Sequence, residues 1–297
     1  MNVTRRKFLK GSGIALGAAA LSFDGPLLSA SPMNQPIGFQ TFEIIAHLTQ
    51  DWEGTWKTMA GFGYKIADLI NFDFNPALSK YSAKDIKQSL TDAGLTATNC
   101  HFSYKAWTEG FSQSATYAHD LGLKSVVCAL GPRRKTADDY KWMGDQLNQI
   151  GARTQAEGLQ LAYHNHEIEF RPVEGQIPWD ILLTNTDPKF VTYQIDVGNL
   201  TFGGGDAIQA LSKYPGRYFS LHCKDFSPGK ASVPVGLGIL DWKKILAIAK
   251  AQNIQYYVTE VGAYGASSLD GAPLEQSKLD VLESFRQSFV YLNNQKT

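Results

Sequence analysis

The chain has 297 residues, 43% hydrophobic and 19% charged, which is enough for one sizeable core. Its 28 basic and 28 acidic residues balance, so no basic field draws it to nucleic acid. Cys100, Cys128 and Cys223 each lie in an apolar run and are read as buried free thiols, not as a disulfide framework.

In chain order the first element is a signal-like segment. "TRRKFLKGSGIALGAAALSF" places Arg5 and Arg6 before Phe8-Leu9-Lys10 and an apolar stretch from Ile14 to Phe23. That stretch is roughly ten residues, too short for a bilayer core of about 30 Å. It resembles a twin-arginine (Tat) export signal, which implies a periplasmic destination and cleavage between Ala18 and Ser31. Residues 1–30 are therefore read as the signal and residues 31–297 as the working domain, with no membrane association once the signal is gone. Without the signal, 24 basic and 27 acidic residues remain, a net charge of −3.

From Ile37 onward, short apolar runs alternate with longer amphipathic ones. Strands are predicted at 38–42, 64–69, 97–102, 125–130, 159–164, 191–196, 218–224 and 256–261. Between them, segments such as "DWEGTWKTMAGFG" and "SAKDIKQSLTDAG" carry apolar residues at three- and four-residue spacing. Several end in glycine, where a left-handed helix cap wants no Cβ (Gly63, Gly94, Gly122 and Gly158). Eight strand–helix steps predict a single-domain (β/α)8 TIM barrel. An open doubly wound sheet is the alternative, but Gly38-Phe39-Gln40-Thr41-Phe42 offers no Gly-rich phosphate turn after the first strand.

In such barrels the chemistry lies at the C-terminal strand ends. Here the fifth strand runs into His164-Asn165-His166, the sixth ends at Asp196, the seventh at His222-Cys223-Lys224, and the eighth at Glu260. Alternation along a strand points His164 with His166, and His222 with Lys224. Four consecutive strands thus offer His164, Asp196, His222 and Glu260 toward one point. A mixed N/O set of this kind suits one divalent Mn, Zn, Co or Fe ion better than Ca. A lone histidine is ordinarily a satisfied core residue, and His119, in a helical stretch, is read that way. Gln40 at the first strand end, His101 at the third, Trp107 beyond it and Asn199 after the sixth are read as substrate contacts. Asp68, near the second strand end, is a weaker candidate. An aromatic such as Trp107, Phe202 or Tyr264 would suit the apolar face of a ring-shaped ligand.

The motifs "YHNHEIEF", "IDVGNLTFGG", "LHCKDF" and "VTEVG", in this order on consecutive strands, resemble those of the xylose isomerase-like barrel superfamily, the sugar phosphate isomerases/epimerases. The resemblance spans roughly residues 37–292 and implies one divalent metal held by Glu, Asp, His and Glu on the last four strands. Asp196, His222 and Glu260 match three of those ligands by position. Asp196 and His222 lie 26 residues apart, one strand–helix–strand step. At the first ligand place many relatives read Glu-Asn-His, whereas this chain reads His164-Asn165-His166, with Glu167 or Glu169 as alternative carboxylates. "PVGLGILDW" is similar to a family segment in which Asp241-Trp242 caps the following helix.

The resulting expectation is a metal-dependent sugar isomerase or epimerase. Glu260 or His166 would take a proton next to a carbonyl, and Lys224 would stabilise the charge of a metal-stabilised enediolate. Because His164 replaces one of the two opposed carboxylates that epimerases of this group use, a lyase is the main rival. That lyase or dehydratase would release the aglycone of a 3-keto-glycoside by β-elimination, which also fits an exported enzyme. A carbohydrate-binding barrel without turnover is a further alternative. A phosphodiesterase on the same scaffold is disfavoured by the net charge and by the presence of only 6 histidines. The expected partner is a small-molecule carbohydrate and no nucleic acid; the sequence leaves room for a homo-oligomer.

Overall fold

The computed structural model describes residues 35–72, 75–132, 135–262 and 280–295. In chain order its strands are β1 (Ile37–Gln40), β2 (Ile66–Ile70), β3 (Thr96–Ser103), β4 (Ser125–Leu130), β5 (Gln160–His164), β6 (Val191–Asp196), β7 (Tyr218–Cys223), β8 (Asp225–Phe226), β9 (Ser232–Val233) and β10 (Tyr256–Thr259). Eight of them close into a parallel barrel in the order β1-β10-β7-β6-β5-β4-β3-β2, while β8 and β9 pair as a small hairpin beyond β7. The signal read in residues 1–30 lies outside the described residues. Among the described residues, no helix is long and apolar enough to cross a membrane.

The strand sequences alternate because one face meets the helices and the other the barrel axis. Leu161, Tyr163, Ile195, Leu221 and Cys223 join the apolar layer under the helices. Ala162, His164, Gln194, Asp196, Ser220 and His222 alternate with them and are buried on the other face. Ile66, Val127, Ala162 and Val258 are buried apart from the helix-facing layer; in the strand register Val258 stands level with His222 and Val127 with His101, so apolar and polar groups share the axis. The three cysteines are buried and form no disulfide, as read from their apolar runs.

The helices begin and end where their caps dictate. Ser82 and Asp85 form a reciprocal capping box at helix Ala83–Asp92, and Thr136 and Asp139 do the same for the 20-residue helix Ala137–Ala156. Gly63 stops helix Trp52–Phe62 at φ 111°, a left-handed backbone that a Cβ would strain.

Strand limits differ from the predicted ones where a side chain has a better partner. Tyr64, expected in the second strand, precedes β2 and donates its hydroxyl to the Phe285 carbonyl at 2.8 Å. Phe42, expected in the first strand, opens a 3-10 turn and is half exposed. Lys224 and Val261 lie just beyond β7 and β10.

Candidate active site

Site geometry starts from a carboxylate deep in the barrel. Asp68, on β2 and fully buried, accepts at Oδ2 from His222 Nε2 (2.7 Å) and from Gln194 Nε2 (2.8 Å), while its Oδ1 lies 3.1 Å from His101 Nε2. The Gln194 amide is thereby oriented. With its nitrogen on Asp68, it presents Oε1 to His164 Nδ1 at 3.1 Å. That contact makes Nδ1 the protonated nitrogen of His164 and leaves Nε2 with a free lone pair. An imidazole held in this way by its second nitrogen is a typical metal ligand.

Above this layer the last strands converge. His222 Nδ1 donates to Glu260 Oε2 at 2.7 Å, and Lys224 Nζ donates to Glu260 Oε1 at 2.8 Å. The backbone N–H of Asn199 holds Asp196 Oδ1 at 2.7 Å, but Asp196 Oδ2 is buried without a hydrogen-bond partner among the described residues. Asn165 pins the β5 and β6 ends together by bonding both the N–H and the C=O of Asp196, at 2.8 and 3.0 Å. Ligand atoms of His164, Asp196, His222 and Glu260 all lie within 4.8 Å of one another. Two imidazoles, two carboxylates and one orphaned carboxylate oxygen fit a divalent transition metal, which would supply the donor-free Asp196 oxygen with a partner.

Charges in the mouth follow from these contacts. Burial opposes a charge on His222, yet its bonds to Asp68 and Glu260 raise its pKa to about 10. Burial, and then the positive His222, push His164 well below the usual imidazole range. His166 falls to about 4, chiefly through burial, and its Nδ1 is buried without a partner. Burial and then the charge of Glu260 lift Asp196 to about 7. Glu260 goes the other way: burial is outweighed by Lys224 and His222, which hold it well below the carboxylate range.

The remaining predicted residues divide. Gln40 lies at the barrel wall with its Nε2 3.2 Å from His101 Nε2, and His101 packs against the His164 and His222 rings, at centroid distances of 5.1 and 5.7 Å. Asn199 is buried and reaches the Asn165 carbonyl at 3.4 Å. Trp107 is a correction. It sits in helix Tyr104–Glu109 with no exposed surface, its ring 4.8 Å from Phe102 and 5.9 Å from Phe111, and so packs the helix layer rather than the mouth. Glu169 is another: it accepts from the Tyr163 hydroxyl at 2.7 Å and the His166 N–H at 2.8 Å, and so braces the β5 loop. Phe202 is half-buried against Phe226, and Tyr264 lies outside the described residues.

Asp225, next to Lys224 at the β7 end, is fully buried. It gathers N–H donors from Phe226, Gly236, Gly238, Leu240 and Trp242 and so shapes the loop after β7. Asp241 caps helix Trp242–Ala251, as read. Two residues were missed. Gln194 stands two places before Asp196 on the same strand face, a signal that period-two reading contains. Glu43, on the turn after β1, had no such signal.

The barrel and the polar cluster at its C-terminal mouth define a class. Residues 37–285 match the xylose isomerase-like TIM barrel family, and the chain belongs to it. It is 32% identical over 186 residues to an inosose dehydratase of Clostridium perfringens, covering 54% of this chain and 62% of that protein. The matches span about half the length of the first such curated relatives. In structure it is similar to a sugar phosphate isomerase/epimerase from Parabacteroides distasonis, with a TM-score of 0.75 at 22% identity, covering 91% of this chain and 96% of that one. It also resembles a 3-keto-D-glucoside 4-epimerase from E. coli, with a TM-score of 0.63 at 17% identity, covering 88% of this chain and all of that one.

Proposed function

We propose that the chain is a divalent-metal-dependent enzyme that removes the proton beside the carbonyl of a keto-sugar or keto-cyclitol and then expels a β-substituent, as a dehydratase or lyase. His164, Asp196, His222 and Glu260 would hold the ion, His222 by Nδ1 once the proton it now shares with Glu260 is displaced, with Nε2–H kept on Asp68. When bound, the ion would supply Lewis-acid polarisation of the carbonyl. Glu260 or His166 takes the C–H proton. The C–H electrons form a C=C bond as the β C–O bond breaks, and Lys224 delivers a proton to the departing oxygen, giving water or an alcohol.

The observation that carries this reading is the inequality of the two walls. Glu260, just past β10, is an ionised carboxylate clamped by an ammonium, whereas His164 and His166 at the β5 end are neutral imidazoles. One base with an adjacent acid serves elimination; two matched carboxylates would serve a symmetric shuttle. The inosose dehydratase relative supports the same direction. A second reading, isomerisation or epimerisation, is favoured by the open Nδ1 of His166, a proton carrier on the wall across from Glu260. Export through the signal in residues 1–30 belongs to the same proposal, with free keto-sugars or glycosides as substrates.

The test is incubation of the Mn-loaded mature protein in D₂O with an inosose, a 3-keto-glucoside and a free ketohexose, read by mass spectrometry. Loss of water or aglycone supports the lyase. Deuterium uptake without loss replaces it by the isomerase or epimerase, and no exchange with any of them overturns both.

A further inference from the structure

One acid of the mouth has no task in this chemistry. Glu43 sits on the 3-10 turn Phe42–Ile44 directly after β1, and β1 pairs with β10, so the turn flanks the strand that leads to Glu260. The turn is held firmly. Thr41 donates its N–H to the Asp68 carbonyl at 3.1 Å and accepts the Ile70 N–H on Oγ1 at 3.0 Å, and Ile44 is fully buried. Glu43 Oε2 is shielded from solvent and has no hydrogen-bond partner among the described residues. Lys224 and His222, the cations acting on it, already donate to Glu260 at 2.8 and 2.7 Å. A buried carboxylate oxygen left without a donor is costly unless whatever binds beside it brings one.

A matching orphan stands on the far side. In the closed strand order β5 is diametrically opposite β1, and just past its end His166 Nδ1 is likewise buried and unpaired. We propose that Glu43 is a specificity residue that reads a hydroxyl of an uncharged carbohydrate, with His166 as its counterpart across the mouth. This deepens the proposed function and rests on its carbohydrate reading. Burial, and then the charge of Glu260, push the Glu43 carboxyl well above the usual carboxylate range, so a sugar hydroxyl serves it as donor or as acceptor.

The experiment compares metal-loaded wild type, Glu43→Gln and Glu43→Ala. Each is titrated calorimetrically with myo-inositol, a carbonyl-free neutral polyol, and with myo-inositol 1-phosphate, and its metal content is measured. Metal content should be equal in all of them. Affinity for myo-inositol should fall about 10- to 100-fold in Glu43→Ala, the scale of leaving a buried hydroxyl without its partner, and less in Glu43→Gln. A phosphate ester that binds Glu43→Gln much more tightly than wild type would mean that Glu43 is charged and would overturn the neutral hydroxyl contact. Myo-inositol affinities and KM values unchanged in Glu43→Ala overturn the assignment of Glu43 alone. Loss of metal in Glu43→Gln overturns it by making Glu43 a ligand. A wild type that neither binds the polyol nor exchanges protons with any keto-sugar removes the carbohydrate reading along with it.

Discussion

The two walls of the mouth carry the same residue type in opposite states. On the β7 side, His222 is hydrogen-bonded between Asp68 and Glu260 and its pKa rises to about 10; on the β5 side, burial outweighs the more distant pull of Glu260 and His166 falls to about 4. Both are buried, and burial by itself disfavours the charged form. Carboxylate partners therefore decide the outcome, not depth. The lesson is that one wall stores fixed, paired charge while the other offers neutral nitrogen lone pairs. Metal binding and proton transfer need both kinds, and the barrel supplies them from strands that are neighbours in space.

Removing the orphaned acid between the walls tests this division most severely. Asp196→Ala should reduce bound transition metal from about one equivalent to none and cost more activity than the roughly 10- to 100-fold typical of outer-partner changes. Elemental analysis of the purified protein beside the variant checks it. Equal metal in both would mean that the cluster is a hydrogen-bonded core and not a cation site.

A milder break is Asp68→Asn, which leaves every candidate ligand in place but weakens the group that orients His222 and, through Gln194, His164. Metal affinity should drop about 10- to 100-fold, measured by competition with a chelator. If only stability changed, Asp68 would be a packing residue and the fixed charge of the β7 wall would come from Glu260 alone.

Smaller still is Gly198→Ala. A Cβ on Gly198 would stand 2.6 Å from the Lys224 carbonyl oxygen and 2.7 Å from its Cβ, so the backbone beyond β7 must shift. Overpacking of this kind costs about 1–3 kcal/mol. The displacement should pull Nζ away from Glu260, lowering kcat while metal content and KM hold. Steady-state kinetics with elemental analysis separate that result from a loss of the ion.

What could be read in advance follows from how each residue is tied to regular structure. The eight strands stand out because each is a short apolar run closed by a helix with its own cap, as at Ser82, Thr136 and Gly63. The meeting of His164, Asp196, His222 and Glu260 follows from strand ends and period two alone. Gln194 obeyed the same rule and was passed over for want of a charge. Glu43 could not be read, because a 3-10 turn after a strand has no periodicity that says where its side chains point. Contacts that organise loops escaped for the same reason: the five N–H groups around Asp225 come from residues up to 17 positions away.

Trp107 fails differently, and it yields the smallest predicted effect. It follows β3 by four residues, close enough to the mouth for an aromatic to be taken as a sugar platform. The helix Tyr104–Glu109 turns it back, however, so that Phe102 and Phe111 enclose it while the exposed residues Lys105 and Glu109 face solvent. Trp107→Phe keeps an aromatic in that layer and should lower stability by about 1–2 kcal/mol through lost contact area, seen as a shift of the denaturant midpoint. KM should not move. A raised KM with unchanged stability would return Trp107 to the substrate, and with it the idea that the β3 side of the mouth grips the sugar by stacking instead of through His101.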